Sequence, residues 1–218
     1  MYTAIVFLPL LSFLIAGLLG RIIGARSSEI VTTGLLFVSA VLSCYAFYDV
    51  AILGHAQIVR LAEWIVSGTF EADWTIRVDA LTAVMLVVVT GVSSLVHLYS
   101  VGYMAEDPSR QRFFAFLSLF TFAMLMLVTA NNFLQLFFGW EGVGLSSYLL
   151  IGFWYTRPSA VAAAIKAFVV NRIGDFGFAL GIFGVFFIST HWTSTMCSPP
   201  RPPWPERPSC SRVTRSIS

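Results

Sequence analysis

Four charged residues lie in two neighbouring apolar stretches, with Glu141 in the first and Lys166, Arg172 and Asp175 in the second. A charge at the centre of a bilayer costs at least about 2.5–3.5 kcal/mol, so such residues need partners or water. A buried carboxylate without a permanent partner has a raised proton affinity, and a cation that approaches or leaves can switch it between protonated and ionised forms. These residues predict a proton or ion relay. The alternative is a set of structural ion pairs that fix helix register.

The spacing of these residues predicts where each lies on its helix. Arg172 and Asp175 are three residues apart, so they share a face and can form a self-contained intrahelical ion pair. Lys166, the only lysine of the chain, lies at the edge of a small-residue stripe where another helix can approach closely. If the two stretches form an antiparallel hairpin, Glu141 is level with Arg172, and Lys166 is about 9 Å nearer the cytoplasmic side. The stripe consists of Gly174, Gly177, Gly181 and Gly184.

Other residues that could do chemistry carry weaker signals. His97 is followed by Tyr99 and Tyr103, a pattern that predicts an interfacial anchor rather than a relay member. There is no glycine-rich dinucleotide motif after a strand, no cysteine cluster and no pair of facing haem histidines, so we expect no redox chemistry in this chain. The scattered arginines form no basic patch, which argues against nucleic acid as a partner.

The composition indicates an integral membrane protein. Hydrophobic residues make up 57% of the 218 residues and charged residues 11%, and the mean hydropathy is +0.82. That leaves too little polar surface for a water-soluble domain of this size. We predict an all-α polytopic membrane protein with about six transmembrane helices. The stretches long enough to cross the bilayer run approximately from Thr3 to Gly20, Ile30 to Tyr48, Ala80 to Met104, Phe113 to Thr129, Phe133 to Tyr155 and Ala160 to Thr190.

The remaining segments define the predicted organisation. Arginines in loops 21–29, 105–112 and 156–159 place those loops in the cytoplasm or matrix and the amino terminus outside. Segment 49–79 alternates apolar and polar residues around a turn signal at Ser67-Gly68, which predicts a short extramembrane β-hairpin on the outer side. The predicted parts are therefore residues 1–112 with three helices and the hairpin, residues 113–190 with three more helices, and a disordered Pro/Ser/Arg-rich tail at 191–218.

Two longer runs carry a resemblance to a known family. GWEGVGLSSYLLIGFWY at 139–155 and AIKAFVVNRIGD at 164–175 closely resemble subunit L of bacterial NADH-quinone oxidoreductase, the homologue of mitochondrial NADH dehydrogenase chain 5. The runs at 79–82, 97–99 and 112–114 also look like that subunit. The resemblance covers approximately residues 1–190 and none of the tail.

The resemblance implies an antiporter-like, proton-translocating membrane subunit of respiratory complex I. Glu141, Lys166, Arg172 and Asp175 correspond to charged residues of the family's relay, and residues 113–190 to the start of its antiporter-like repeat. The chain would act within a proton-translocating NADH:ubiquinone reductase. NAD, FMN, iron–sulfur clusters and quinone would be bound by partner subunits. Its partners would be other membrane subunits, the lipid bilayer and protons, with the bacterial inner membrane favoured over the mitochondrial one.

One departure from the family and two alternatives accompany this interpretation. Family members continue through two inverted helix repeats with further buried lysines, so we expect the chain to be truncated and to lack a complete proton path. A subunit of a multisubunit cation/proton antiporter shares the helix architecture and would show sodium-coupled transport. A non-transporting assembly fragment would be expressed stably and carry no proton flux.

Overall fold

The computed structural model describes residues 1–67 and 70–189, which form a bundle of long helices and one hairpin. The predicted tail at 191–218 lies outside the described residues, as does Gly68 of the predicted Ser67-Gly68 turn. Two short π-helical segments extend the first two long helices. In chain order the elements are α1 (Tyr2–Leu14), a π-helical turn (Ile15–Leu19), α2 (Gly20–Ile23), α3 (Ala25–Phe47), a second π-helical turn (Tyr48–Ile52), β1 (Gln57–Ser67), β2 (Phe70–Val78), α4 (Ala80–Tyr103), α5 (Arg110–Val128), α6 (Phe133–Ile151) and α7 (Pro158–Ser189).

The helices confirm the predicted class of a polytopic α-helical membrane protein. Over the described part of the chain, five segments are long and apolar enough to cross a membrane: Tyr2–Ile23, Ala25–Ile52, Ala80–Tyr103, Arg110–Val128 and Pro158–Ile188. The predicted fifth span is α6, which forms as a helix of 19 residues but is not among these five. It contains the polar residues Gln135 and Glu141.

The first two spans are joined by a tight turn at Gly24. Its φ of +91° lies in the region that side chains with a Cβ disfavour, so glycine permits α3 to begin at the very next residue. The π-helical turn before it adds one residue per turn to the end of the first span. Such insertions occur often at functional positions of helices.

His97 lies in the core of the bundle, and the prediction that it is an interfacial anchor is wrong. Its side chain is fully buried, with Nδ1 2.8 Å from the Ser93 carbonyl oxygen and Nε2 3.2 Å from Ser118 Oγ. Ser118 in turn lies 3.1 Å from Ser12 Oγ, so the network joins α4, α5 and α1. Tyr99, two residues later, points about 200° away around the helix and is exposed. The exposed position of Tyr99 therefore does not indicate which way the His97 side chain points.

The predicted hairpin is confirmed, and it is bound to the start of α6. Strands β1 and β2 pair antiparallel. The Gln135 side chain accepts from Thr75 N at 3.2 Å and donates to Thr75 O at 2.7 Å, as a neighbouring strand would. Asn132, the N-cap of α6, also donates to Asp73 O at 2.7 Å. These three bonds fix the outer end of α6 to the edge of β2.

Asp79 joins the hairpin to α4 as its N-cap, with Oδ1 accepting from Thr82 N at 2.8 Å and Oδ2 from Arg77 Nη2 at 2.7 Å. Burial raises the pKa of this carboxyl, but the bonds from Thr82 and the charge of Arg77 outweigh it and hold the pKa below the usual 3.8. The stabilisation is therefore present above pH 3.8 and is lost as the pH falls through the lower folded pKa.

We expect Asp79→Ala to lower the free energy of unfolding by about 1 kcal/mol, because the cap of α4 is lost. Protection of the Thr82 amide from hydrogen exchange, measured relative to the unstructured rate at the same pH, should fall in the variant at neutral pH, and in the wild type only on acidification. Glu63→Gln, at an exposed position of β1, is the control. An unchanged Thr82 exchange rate in Asp79→Ala would contradict the capping role.

Candidate functional site

Helices α6 and α7 pack as an antiparallel hairpin that brings the predicted charges together. The Arg172 guanidinium donates a short hydrogen bond to Glu141 Oε2, and its Nη1 lies 3.5 Å from Asp175 Oδ2. Glu141 and Arg172 are therefore at the same depth, as the helix rise predicted. One guanidinium is placed between two carboxylates on neighbouring helices.

The predicted ion pair between Arg172 and Asp175 is present, but it is not self-contained. The long arginine side chain reaches across to α6, where it meets Glu141. Asp175 also accepts a 2.8 Å hydrogen bond from Trp140 Nε1. Sequence analysis missed Trp140, although its position next to Glu141 on a helix facing α7 is the signal that could have suggested it.

Burial decreases across the cluster from Asp175 to Arg172. The side chain of Asp175 is 8% exposed, that of Glu141 23% and that of Arg172 42%. With one cation for two carboxylates, binding of one proton brings the group to neutrality. Within residues 1–67 and 70–189, no three His, Cys, Asp or Glu side chains are grouped so that they could hold a metal ion. The arrangement is suited to proton exchange coupled to movement of an arginine.

Arg172 has space on two sides. A cavity of about 300 Å³ between α5 and α6 is lined by Glu141 and Arg172 and is otherwise apolar. On its other side, Arg172 borders an open surface groove of about 360 Å³ that is lined by residues of α7 alone, and its guanidinium lies 4.8 Å from the centre of the Phe168 ring. Each volume exceeds the roughly 30 Å³ that one water occupies in the liquid. Both water entry and a change of arginine rotamer are therefore sterically possible.

Lys166 lies apart from this cluster. It is exposed on α7, six residues or about 9 Å along the helix from Arg172, and no hydrogen bond or ion pair joins it to another described residue. The glycine stripe of α7 is likewise open, since a Cβ added at Gly174 or Gly181 would meet nothing within 4 Å. No described helix packs on the stripe, so the role predicted for Lys166 stays a prediction.

The glycines of α6 allow the close contact with α5 that positions Glu141. A Cβ at Gly139 would lie 2.7 Å from Leu127 Cα and N, and one at Gly142 3.0 Å from Ala123 Cβ. The first clash is with backbone, which cannot give way as a flexible side chain can. Gly139 therefore sets the distance between the two helices two residues before Glu141, or about half a turn away.

We expect Gly139→Ala to lower the free energy of unfolding by about 1–3 kcal/mol, the usual cost of overpacking. Denaturant titration of the purified chain in detergent measures it. Gly174→Ala makes the same chemical change in α7, where nothing lies within 4 Å, and should leave stability unchanged or slightly higher. If the two variants changed the free energy of unfolding equally, the close α5–α6 contact at Gly139 would not be the cause of the lost stability.

Comparison with solved structures identifies the fold. The fold is similar to that of chains in two solved membrane complexes. One is the membrane-bound sulfane sulfur reductase, an archaeal respiratory membrane complex, with a TM-score of 0.75 and 18% identity over 88% of this chain and 39% of the other. The second is the Mrp complex from Dietzia sp. DQ12-45-1b, with a TM-score of 0.71 and 21% identity over 88% of this chain and 20% of the other.

Sequence comparison then identifies the family. The model for the N-terminus of NADH-ubiquinone oxidoreductase (complex I) chain 5 matches residues 64–114, and the NADH:quinone oxidoreductase/Mrp antiporter transmembrane model matches residues 130–196. NADH-ubiquinone oxidoreductase chain 5 of Triticum aestivum is 60% identical over 85% of this chain. NADH-quinone oxidoreductase subunit L of Rhodobacter capsulatus is 58% identical over 87% of it. The chain belongs to the family of these two proteins, and it spans 28% and 27% of their lengths.

Proposed function

We propose that this chain is part of a proton-translocating, antiporter-like membrane subunit of an NADH:quinone oxidoreductase. The observation that carries the proposal is the position of Arg172 between Glu141 and Asp175. A cation shared by two carboxylates on different helices has two alternative partners. Protonation of one carboxylate releases the cation to the other, which is the elementary step of a charge-coupled relay.

The step can be written with the protons balanced. In the described state Arg172 is bonded to ionised Glu141. A proton that reaches Glu141 through the adjoining cavity converts the carboxylate to the acid and removes its attraction for the guanidinium. Arg172 then keeps Asp175 as its only carboxylate partner, and Trp140 holds Asp175 in place. Return of Arg172 lowers the proton affinity of Glu141 and expels the proton.

The partners and cofactors follow from the family. We propose that NAD, FMN, iron–sulfur clusters and quinone are bound by partner subunits, and that this chain contributes no redox step of its own. Other membrane subunits of the complex would adjoin it in the bilayer. As its location we propose the bacterial inner membrane rather than the mitochondrial one, although bacterial and mitochondrial relatives match at similar identity.

The proposal is tested by the identity of the ion that moves. The chain, assembled with its partner subunits in sealed vesicles, should acidify the lumen when NADH is supplied, with a pH-sensitive dye as the readout. Radioactive sodium uptake measured in parallel should stay at the level of uncoupled vesicles. Sodium uptake linked to proton release, without NADH, would instead support the cation/proton antiporter, the fold of which is also similar.

A further inference from the structure

We propose that a groove between the first span and α5 binds an anionic phospholipid. The Arg21 groove, as we call it, has a polar end formed by Arg21, Gln111 and Arg112 and apolar walls that include Leu14, Leu18 and Phe116. Its volume is about 350 Å³. It lies outside the Glu141 cluster, and the proton relay does not use it.

The positive charge in the groove is not neutralised by the described residues. No acid among them forms an ion pair with Arg21 or Arg112, whereas the neighbouring Arg110 pairs with Glu29 at 3.2 Å. Arg112 donates to the Phe153 carbonyl oxygen at 2.8 Å, and its guanidinium lies 4.9 Å and 5.1 Å from the centres of the Phe153 and Tyr155 rings. The accessible donors are therefore those of the exposed Arg21, with Arg112 adding a second positive charge. This arrangement matches a phosphodiester, which offers negative charge and several acceptor oxygens.

The shape of the groove distinguishes a lipid from a free phosphate ion. Arg21 lies at the end of the first span and Arg112 at the beginning of α5, so the polar end is at the bilayer surface on the side of the arginine-bearing loops. Leu14 is seven residues before Arg21, or about 10 Å deeper along the helix. Leu14 and Leu18 are 41% and 73% exposed. A phosphate at the arginines would therefore place an acyl chain along these apolar walls.

The backbone forms the floor of the groove. The π-helical turn Ile15–Leu19 includes Gly17, whose missing side chain leaves the groove open. A Cβ there would meet the Phe13 ring at 3.7 Å and Ala115 Cβ at 3.9 Å, which are ordinary contacts. A larger side chain at this position would occupy the groove without displacing the backbone.

Lipid titration of the delipidated, purified 218-residue chain tests the site, with native mass spectrometry as the readout. Phosphatidylglycerol should bind more tightly than phosphatidylcholine with the same acyl chains. Arg21→Gln should weaken phosphatidylglycerol binding about fivefold, the expected loss for one interfacial arginine. Gly17→Leu should weaken the binding of both lipids by filling the groove. Arg26→Gln is the control, since Arg26 is an exposed arginine in the first turn of α3 outside the groove, and the variant should bind like the wild type.

Three results would overturn the proposal. The first is equal binding of the two lipids, and the second is phosphatidylglycerol binding that neither Arg21→Gln nor Gly17→Leu changes. The third is displacement of phosphatidylglycerol by inorganic phosphate alone, which would reveal an anion site that does not use the apolar walls. Circular dichroism of each variant confirms that a change in lipid binding is not a loss of helix. Proton transfer is not measured, so the outcome is independent of the proposed relay.

Discussion

Replacing Glu141 by glutamine should reduce proton transfer through this subunit by about two orders of magnitude, because an amide cannot take up and release the proton. Glutamine has the same size as glutamate, and its carbonyl oxygen can still accept from Arg172. Helix packing should therefore survive. The variant is best assayed in the assembled complex, where the protons moved per NADH oxidised are compared with NADH oxidation by the released hydrophilic partners. Only the first quantity should fall.

Glu106→Gln is the matched control for this experiment. It makes the same chemical change at an exposed acid in the loop before α5. Glu106 is not part of the cluster of Glu141, Arg172 and Asp175. Pumping should be unchanged in that variant. If Glu141→Gln also pumps with the wild-type stoichiometry, Glu141 does not carry the proton and the cluster is a structural ion pair.

Removing Arg172 should produce the largest loss of stability of any single change in α7. Arg172→Gln leaves Glu141 and Asp175 as two carboxylates without their shared cation, and breaking a buried pair costs about 3–5 kcal/mol. We expect a value at the low end, since the arginine side chain is 42% exposed. The free energy of unfolding in detergent, followed by tryptophan fluorescence, measures the effect.

A mutant cycle separates the two partners of Arg172. Adding Glu141→Gln or Asp175→Asn to Arg172→Gln should restore part of the lost stability, because each removes one uncompensated charge. Lys166→Gln is the control on the same helix, since Lys166 is exposed, and it should change stability little. Strictly additive effects of the three substitutions would mean that the arginine is not shared.

Sequence reasoning was most successful where regular geometry decides the outcome. The helix rise alone placed Glu141 level with Arg172, and the period of two in segment 49–79 predicted the hairpin that the structure has. Apolar length identified five of the six predicted spans, and the sixth, α6, forms as a helix of 19 residues. These properties depend on local periodicity, which a single sequence contains.

It failed where a side chain has several neighbours within reach. The spacing of three residues correctly placed Arg172 and Asp175 on one face of α7. It could not show that the Arg172 guanidinium reaches across to α6. Nor could it show that Ser118 on α5 and Ser12 on α1 would meet His97. A polar residue in an apolar helix signals a partner or an interface, and only the packing decides which.

The paired hydrogen bonds between Gln135 and Thr75 constrain how the relay can operate. Gln135 is six residues before Glu141 on the same helix, and its side-chain amide is hydrogen-bonded to strand β2. Rotation of α6 about its own axis would break both bonds and the Asn132 contact as well. The hairpin thus restricts rotation of α6 about its axis. Switching between carboxylates must then come from the swing of the Arg172 side chain against a stationary Glu141, which is a faster motion than the turning of a whole helix.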